Sequence, residues 1–203
     1  MDLLALDFPV QLSNRAVPKV IENPIKELDF TIKKEVQSLM VICYHVSQVK
    51  GVTMAALYTL IHLIDYELNF NVLKTIPSYA RSIKYTDGQV VFYNIGTINS
   101  KRVQALFDKL LLELPDIIMR ISDEELDSMK KMQAEHFKNT SGHVDFHWEA
   151  IVEGTYNFNL VEETAAAFRN LTKHMLVNVL KTYLWEESAL CKKMTFRFNQ
   201  ETI

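Results

Sequence analysis

Histidine and carboxylate side chains at helical spacing are the residues of this sequence whose types could do metal chemistry. His62 and Asp65 lie three positions apart in a run of helical pattern, and Tyr66 follows directly. A catalytic zinc site needs three protein ligands and a nearby carboxylate that activates the bound water. One imidazole beside an aspartate and a phenol falls short of that set. The sequence therefore predicts no metal ligand and no catalytic residue here.

A second pair, His143 and His147, shares one helical face because the two residues lie four positions apart. Asp145 and Glu149 lie nearby, and imidazoles so spaced can hold a metal ion. The spacing places no third ligand, however, and a helix start rich in polar groups explains the pair as well. An independent metalloenzyme that uses these two histidines stays open as the weakest of three alternatives.

The two cysteines lie outside any recognised catalytic motif. Cys43 and Cys191 are far apart, and the sequence contains neither a Gly-x-Ser-x-Gly elbow nor a phosphate-binding loop. Their spacing matches no disulfide or metal framework. We therefore expect buried free thiols in a reducing compartment, which favours a cytoplasmic location.

Charge and hydropathy argue against two classes of partner. The 203 residues carry a net charge of -3, which gives no electrostatic reason to expect nucleic acid or an anionic membrane surface. No apolar stretch approaches the roughly 18 residues that cross a bilayer, and the acidic start of the chain is unlike a secretory signal. We therefore expect no nucleic-acid partner and no membrane.

The elements that would position these residues begin with strands. Asp87-Gly88 between two strand-like runs is a strong signal for a hairpin. The run Ser38–Val46, which precedes the hairpin, is apolar and β-branched, which predicts a strand buried on both faces. Thr53 then caps a predicted helix that runs to about Glu67. The strand-like runs are Ser38–Val46, Tyr79–Tyr85, Gln89–Ile95 and Met194–Phe198.

Capping signals and apolar periodicity predict further helices after the hairpin. Asn99 or Ser100 opens a helix with one apolar face, and Pro115 is expected to interrupt it. Ser122 and Glu125 have the spacing of a capping box, in which each side chain bonds the backbone N–H of the other residue. The box predicts a separate helix that begins at this point.

The order of these elements is typical of an α+β domain. Helical pattern fills residues 143–185 before the last strand-like run. A strand, a helix, a hairpin, several helices and a strand predict an antiparallel sheet with helices packed on one face. We expect an extended amino-terminal arm or linker at residues 1–35, where three of the five prolines lie, and one α+β domain at residues 36–203.

Three short motifs follow one another along the chain in an order that carries a family resemblance. They are Phe70-Asn71-Val72-Leu73-Lys74-Thr75, then His147-Trp148-Glu149-Ala150-Ile151, then Tyr156-Asn157-Phe158 followed by Leu171-Thr172. Together they resemble the last, non-catalytic domain of insulysin-type members of the insulinase-like (pitrilysin) zinc metallopeptidases. That domain has Phe-Asn-x-Leu-Arg-Thr after its first helix and a Tyr-Asn-Phe and Leu-Thr pattern in its late helices. The similarity covers roughly residues 36 to 198.

The resemblance implies a chamber enclosed by several such α+β domains. In the proteins of that family, a different domain holds the zinc through a His-x-x-Glu-His helix motif and a further glutamate downstream. This sequence lacks that motif, and the segment most similar to it is His62-Leu63-Ile64-Asp65-Tyr66. In active members an arginine and a Gly-Tyr pair of the last domain reach toward the substrate. Lys74 stands at the arginine position and Ala80-Arg81 at the Gly-Tyr position, so the resemblance implies Lys74 and Arg81 as substrate-binding residues.

For function, the resemblance implies a chamber wall without chemistry of its own. The chain would be the carboxy-terminal, non-catalytic domain of an insulinase-like zinc metalloendopeptidase. No cofactor is then expected in this chain, and zinc belongs to the catalytic domain of the parent protein. The partners are the peptide substrate and other insulinase-like domains of the same protein or of a partner subunit. The alternative is an inactive peptidase-fold structural subunit or scaffold protein.

Overall fold

The computed structural model describes residues 25–32, 38–47, 49–76, 78–86, 88–96, 99–141, 148, 151 and 158–200. Within these ranges the strands are β1 (Ile25–Ile32), β2 (Ser38–His45), β3 (Ser78–Thr86), β4 (Gln89–Gly96) and β5 (Lys193–Gln200). The helices are α1 (Gly51–Glu67), α2 (Ser100–Arg120), α3 (Asp123–Ser141), α4 (Leu160–Arg169) and α5 (Lys173–Tyr183). A short π-helical segment, Leu68–Val72, continues α1. The predicted α+β class is confirmed.

The described strands form one mixed sheet in the order β1-β5-β2-β4-β3. β2 runs antiparallel to both β4 and β5, and β3 runs antiparallel to β4, whereas β1 is parallel to β5. The prediction of an antiparallel sheet is therefore wrong at this edge. The reason is geometric, because β5 lies between β1 and β2, which run in opposite directions, and must be parallel to one of them.

β1 comes from the stretch that the sequence predicts as an arm or linker. Residues Ile25–Ile32 pair with β5 along their whole length, from Ile25 opposite Lys193 to Ile32 opposite Gln200. This part of residues 1–35 is thus one of the two edge strands of the described sheet. The boundary between an arm and the domain stays a prediction.

Side chains of the central strands alternate between a buried inner face and a partly exposed outer face. The predicted burial of the first strand on both faces is wrong, because only every second residue of β2 is buried. The packing of all helices on one face stays a prediction. The inner face consists of Met40, Ile42, Tyr44, Val90, Phe92, Asn94, Lys193, Thr195 and Arg197. The outer face consists of Leu39, Val41, Cys43, His45, Gln89, Val91, Tyr93, Ile95, Met194, Phe196 and Phe198.

α1 and α2 enter the core in different ways. α1 is apolar over most of its circumference and largely buried, as expected for a helix enclosed by other elements, and it contacts α4, α5 and β3. α2 is amphipathic, with its apolar side chains on one face. Its Phe107 stacks on Phe92 of the inner face, with ring centroids 4.5 Å apart. Both rings are almost fully buried, so this pair joins α2 to β4 through the core.

The predicted interruption at Pro115 is wrong, since α2 runs unbroken from Ser100 to Arg120. Proline lacks the N–H that would bond the carbonyl of Leu111, four residues earlier. That carbonyl accepts a hydrogen bond from the indole Nε1–H of Trp185 instead, at 3.1 Å. A tertiary contact therefore satisfies the group that the proline leaves free.

Helix starts follow the capping signals with one exception. The Ser122 hydroxyl accepts a hydrogen bond from the backbone N–H of Glu125 at 3.1 Å, so half of the predicted capping box is present at the start of α3. Asn99 caps α2 through its side-chain oxygen, as expected. α1 begins at Gly51, and no side-chain hydrogen bond caps it. Thr53 lies inside the helix, so its predicted role as a cap is wrong.

Arg197 attaches β1 to the rest of the domain. Its guanidinium donates to Asp29 Oδ1 at 2.6 Å and Glu27 Oε2 at 2.8 Å on β1, and also to Gln104 on α2. The hydrogen bonds from Arg197 lower the pKa of both carboxyl groups below their ordinary values. The ionised carboxylates are therefore the forms that bind β1 to the buried arginine.

We predict that Phe92→Ala lowers the free energy of unfolding by about 3–5 kcal/mol, because it removes a fully buried ring and leaves a cavity beside Phe107. Urea denaturation followed by circular dichroism measures the change. The matched control is Phe70→Ala, since Phe70 is 59% exposed and its loss should cost less than about 1 kcal/mol. Equal costs for the two variants would contradict the core described above.

We predict that Arg197→Leu destabilises the domain at pH 7 and that this difference from the unmodified protein narrows as the pH falls below about 4. The sign follows from the depressed pKa values of Glu27 and Asp29: their stabilising contribution is complete above the ordinary carboxyl pKa and is lost on protonation. Urea denaturation at several pH values tests it, with the exposed Lys26→Leu as control. A difference that stays constant with pH would refute this role of the carboxylates.

Candidate functional site

A pocket of about 240 Å³ lies where α1, α3 and β3 meet. It brings His62 and Asp65 of α1 together with His136 of α3, which the sequence analysis did not single out. In the family that the sequence resembles, a further zinc ligand lies downstream of the zinc motif. That spacing was the one sequence signal that could have pointed to His136. Only the packing of α3 near α1 determines which downstream residue lies beside His62. The pocket is lined by Tyr58, Ile61, His62, Asp65, Ile83, Gln133, His136 and Phe137.

Helical spacing presents the polar side chains to this pocket. His62 and Asp65 lie three residues apart on α1, and Gln133 and His136 lie three residues apart on α3, so each pair shares one helix face. The apolar wall includes an edge-to-face contact between the rings of Tyr58 and Phe137, 5.1 Å apart. The pocket thus offers two imidazoles, a carboxylate and an amide against an aromatic wall.

A chain of hydrogen bonds connects Asp65 to the sheet. Asp65 Oδ1 accepts from the Asn69 amide at 3.1 Å, and Asn69 Oδ1 accepts from Nη1 of Arg81 at 3.2 Å. Arg81 Nε then donates to Oδ1 of the buried Asn94 on β4 at 3.0 Å. These bonds link α1, the π-helical segment, β3 and β4 into one polar network.

The two residues predicted to bind substrate have different surroundings. Lys74 is exposed in the turn that follows the π-helical segment. Arg81 is partly buried and is held by Asn69 and Asn94, and its Nη2 is buried without a hydrogen-bond partner in the described part of the chain. Burial lowers the pKa of Arg81, while the negative charge of Asp65 acts in the opposite direction. Neither residue lines the pocket at His62.

The described residues contain no group of three or more His, Cys, Asp or Glu side chains placed to hold a metal ion. His62, Asp65 and His136 line one pocket but do not converge as such a group. His143 and His147 lie outside the described residues. What the pocket can do chemically is therefore to donate and accept hydrogen bonds.

Both cysteines are free thiols, as predicted, but only Cys191 is fully buried. Cys43 keeps part of its surface exposed on the outer face of the sheet. Burial raises the pKa of both thiols, and that of Cys191 reaches about 11. The thiolate is the nucleophilic form, so neither cysteine is activated at neutral pH.

No family model and no curated protein matches the sequence. The structure resembles a protease from Helicobacter pylori at a TM-score of 0.65 and 17% sequence identity, over 86% of this chain and 44% of that one. It resembles pitrilysin at a TM-score of 0.64 and 9% identity, over 85% of this chain and 20% of that one. For a candidate zinc protease from Bordetella pertussis Tohama I the TM-score is 0.62 at 12% identity, over 80% of this chain and 94% of that one.

These neighbours are proteases of the pitrilysin, or insulinase-like, type, and the likeness shows that this chain has their fold. The chain spans less than half of the Helicobacter protease and about a fifth of pitrilysin, which is consistent with one domain of such a protein. Among the helices that the structure describes, none has the length and apolar character needed to cross a membrane.

We predict that Asn94→Ala lowers the free energy of unfolding by about 1–3 kcal/mol, because it leaves Arg81 Nε without its acceptor beside a second unpaired donor. Thermal or urea denaturation measures this loss. Lys74→Ala is the control and should change stability by less than about 0.5 kcal/mol, since Lys74 is exposed. An Asn94→Ala variant as stable as the control would mean that the network does not hold β3 and β4 together.

Proposed function

We propose that this chain is the carboxy-terminal, non-catalytic domain of an insulinase-like zinc metalloendopeptidase and forms part of the wall of the chamber that encloses the peptide. The observation that carries the proposal is the pocket on α1. Of the segment that most resembles the zinc motif, His62 and Asp65 line this pocket, whereas Tyr66 is exposed and lies outside the lining. Asp65 accepts a hydrogen bond from Asn69. Zinc and hydrolysis then belong to the catalytic domain of the parent protein.

The arrangement around β3 supports contact with peptide. Among the described strands β3 is an edge strand, and the backbone groups on its outer side are of the kind that pair with an extended chain. Exposed Lys74 lies just before this strand and offers a mobile positive charge. Arg81 lies on β3, and its hydrogen bonds to Asn69 and Asn94 make it a fixed charge. We propose Lys74 and Arg81 as the residues that contact peptide substrate.

The outer face of the sheet supports a place within a larger assembly. Most of its side chains in β2, β4 and β5 are apolar, with His45 and Gln89 as polar exceptions at one end, and they keep part of their surface exposed. Phe30 of β1 extends this face, stacks on Phe198 and is 43% exposed. Apolar surface of this kind is stabilised by cover from a further domain. Other insulinase-like domains, of the same protein or of a partner subunit, are the proposed cover.

A second candidate, an inactive peptidase-fold structural subunit or scaffold, is favoured by the same outer face. The two candidates differ in which other domains must be present in the same protein or complex. The first requires a domain with a His-x-x-Glu-His motif in the same protein or complex, and the second does not. In the first case Lys74→Ala slows peptide hydrolysis by the complex, whereas in the second case no hydrolysis depends on this chain.

We predict that the isolated chain, supplied with zinc and a fluorogenic peptide, hydrolyses the peptide no faster than zinc in buffer, because it has no complete ligand set among its described residues. Fluorescence measures the turnover, and metal analysis of the purified chain should find the same zinc content in His62→Ala as in the unmodified protein. Turnover that a chelator abolishes would contradict the proposal. If such turnover were lost in His147→Ala, the independent metalloenzyme would be favoured.

A further inference from the structure

A second pocket, of about 110 Å³, lies between the inner face of the sheet, α2 and the connection from α5 to β5. It shares no lining residue with the pocket at His62. Its walls combine a phenol, three carboxylates and apolar side chains. The lining residues are Tyr44, Asp108, Leu111, Leu112, Leu184, Trp185, Glu186 and Glu187.

The Tyr44 hydroxyl is a buried polar group in the wall of this pocket. The residue is 1% exposed, and its hydroxyl has no hydrogen-bond partner in the part of the chain that the structure describes. Burial raises the pKa of Tyr44, and the negative charge of Asp108 raises it further, so the hydroxyl stays protonated. A buried hydroxyl without a hydrogen-bond partner destabilises the folded state. A polar group that enters the pocket would remove this destabilisation.

The charges around Tyr44 favour a cation. The buried Lys193 ammonium donates to Asp108 Oδ1 at 2.8 Å and to Glu186 Oε1 at 2.5 Å. Each carboxylate therefore uses one oxygen for Lys193, and its second oxygen can accept from another donor. Glu187 adds a third negative charge at the exposed rim. Asp108 and Glu186 share the single cation Lys193, so together with Glu187 the acids that line the pocket outnumber it.

The remaining wall suits an aliphatic stem. Leu111, Leu112 and Leu184 line it together with the indole of Trp185. The indole is held in place by its hydrogen bond to the carbonyl of Leu111, and Lys181 lies over its ring at 4.9 Å from the centroid. Methylene groups of a ligand would pack on this fixed apolar surface while a charged end reaches the acids.

We propose that this pocket binds a primary ammonium group on an aliphatic stem, as in the lysine side chain of a peptide or a free alkyl diamine. The ammonium donates to the free oxygens of Asp108 and Glu186 and to the Tyr44 hydroxyl. The methylenes pack against the leucines and Trp185. This binding site is independent of the proposed peptidase role, because it uses none of the residues at His62, Lys74 or Arg81.

The test is a nuclear magnetic resonance titration that follows the indole N–H signal of Trp185, assigned by its persistence in Trp148→Phe. The probes are N-acetyl-lysine methylamide and 1,5-diaminopentane, and the matched controls are N-acetyl-norleucine methylamide and the lysine probe acetylated on its side-chain nitrogen. We expect saturable shifts with dissociation constants of roughly 1–10 mM for the ammonium probes, and at least tenfold weaker binding of the controls. The tighter of the two ammonium probes identifies a peptide side chain or a free amine as the source.

Two variants test the assigned contacts. Glu186→Gln should weaken binding of the ammonium probes about tenfold, because it removes a charged acceptor. Tyr44→Phe removes only the unpaired hydroxyl, so it should fold at least as stably and bind the probes about threefold more weakly. Glu113→Gln on α2, outside the lining, is the matched control and should bind unchanged. No saturable shift, or equal shifts with the norleucine control, would overturn the proposal and leave a pocket that holds water only.

Discussion

Two cations, Lys193 and Arg197, lie buried on the inner face of β5. Taking a charge out of water costs several kcal/mol unless other groups replace its hydration, so each cation requires acidic partners. Lys193 forms ion pairs with acids on α2 and in the connection before β5. Arg197 forms ion pairs with acids on β1 and a hydrogen bond with α2. Because these bonds are directional, they determine how β1, β5 and α2 sit relative to one another. The pocket at Tyr44 lies beside this paired charge, since Asp108 and Glu186 line it and also bond Lys193.

The two pockets use polar groups in different ways. At His62 the carboxylate of Asp65 is already engaged through Asn69 and Arg81, which ties α1 to the sheet. This network stabilises the packing of α1 against β3 and β4. At Tyr44 the acids retain spare oxygens, and a buried hydroxyl lacks a partner. Polar side chains thus link a helix to the sheet in one place and form the proposed ammonium-binding site in the other.

Local sequence signals predicted the secondary-structure elements correctly where the stabilising contacts join residues that are close in the chain. The hairpin of β3 and β4 and the Ser122 cap of α3 depend on residues a few positions apart. Pro115 misled because its effect is decided by a residue far along the chain, Trp185, which satisfies the freed carbonyl. For the candidate site, His62 and Asp65 were visible from helical spacing. His136 was not, because it depends on how α3 packs near α1.

The sequence by itself determined the α+β class, the hairpin and several helix starts, since side-chain period and capping act over a few residues. The resemblance that its motifs carry also led to the protease fold that the structural neighbours share. Only the tertiary structure decided that β5 inserts between β1 and β2 and makes the sheet mixed. It also decided which acids meet Lys193 and Arg197, and that Tyr44 is left unpaired beside them. These outcomes depend on burial and on pairing between residues that are remote in the chain, which no local pattern records.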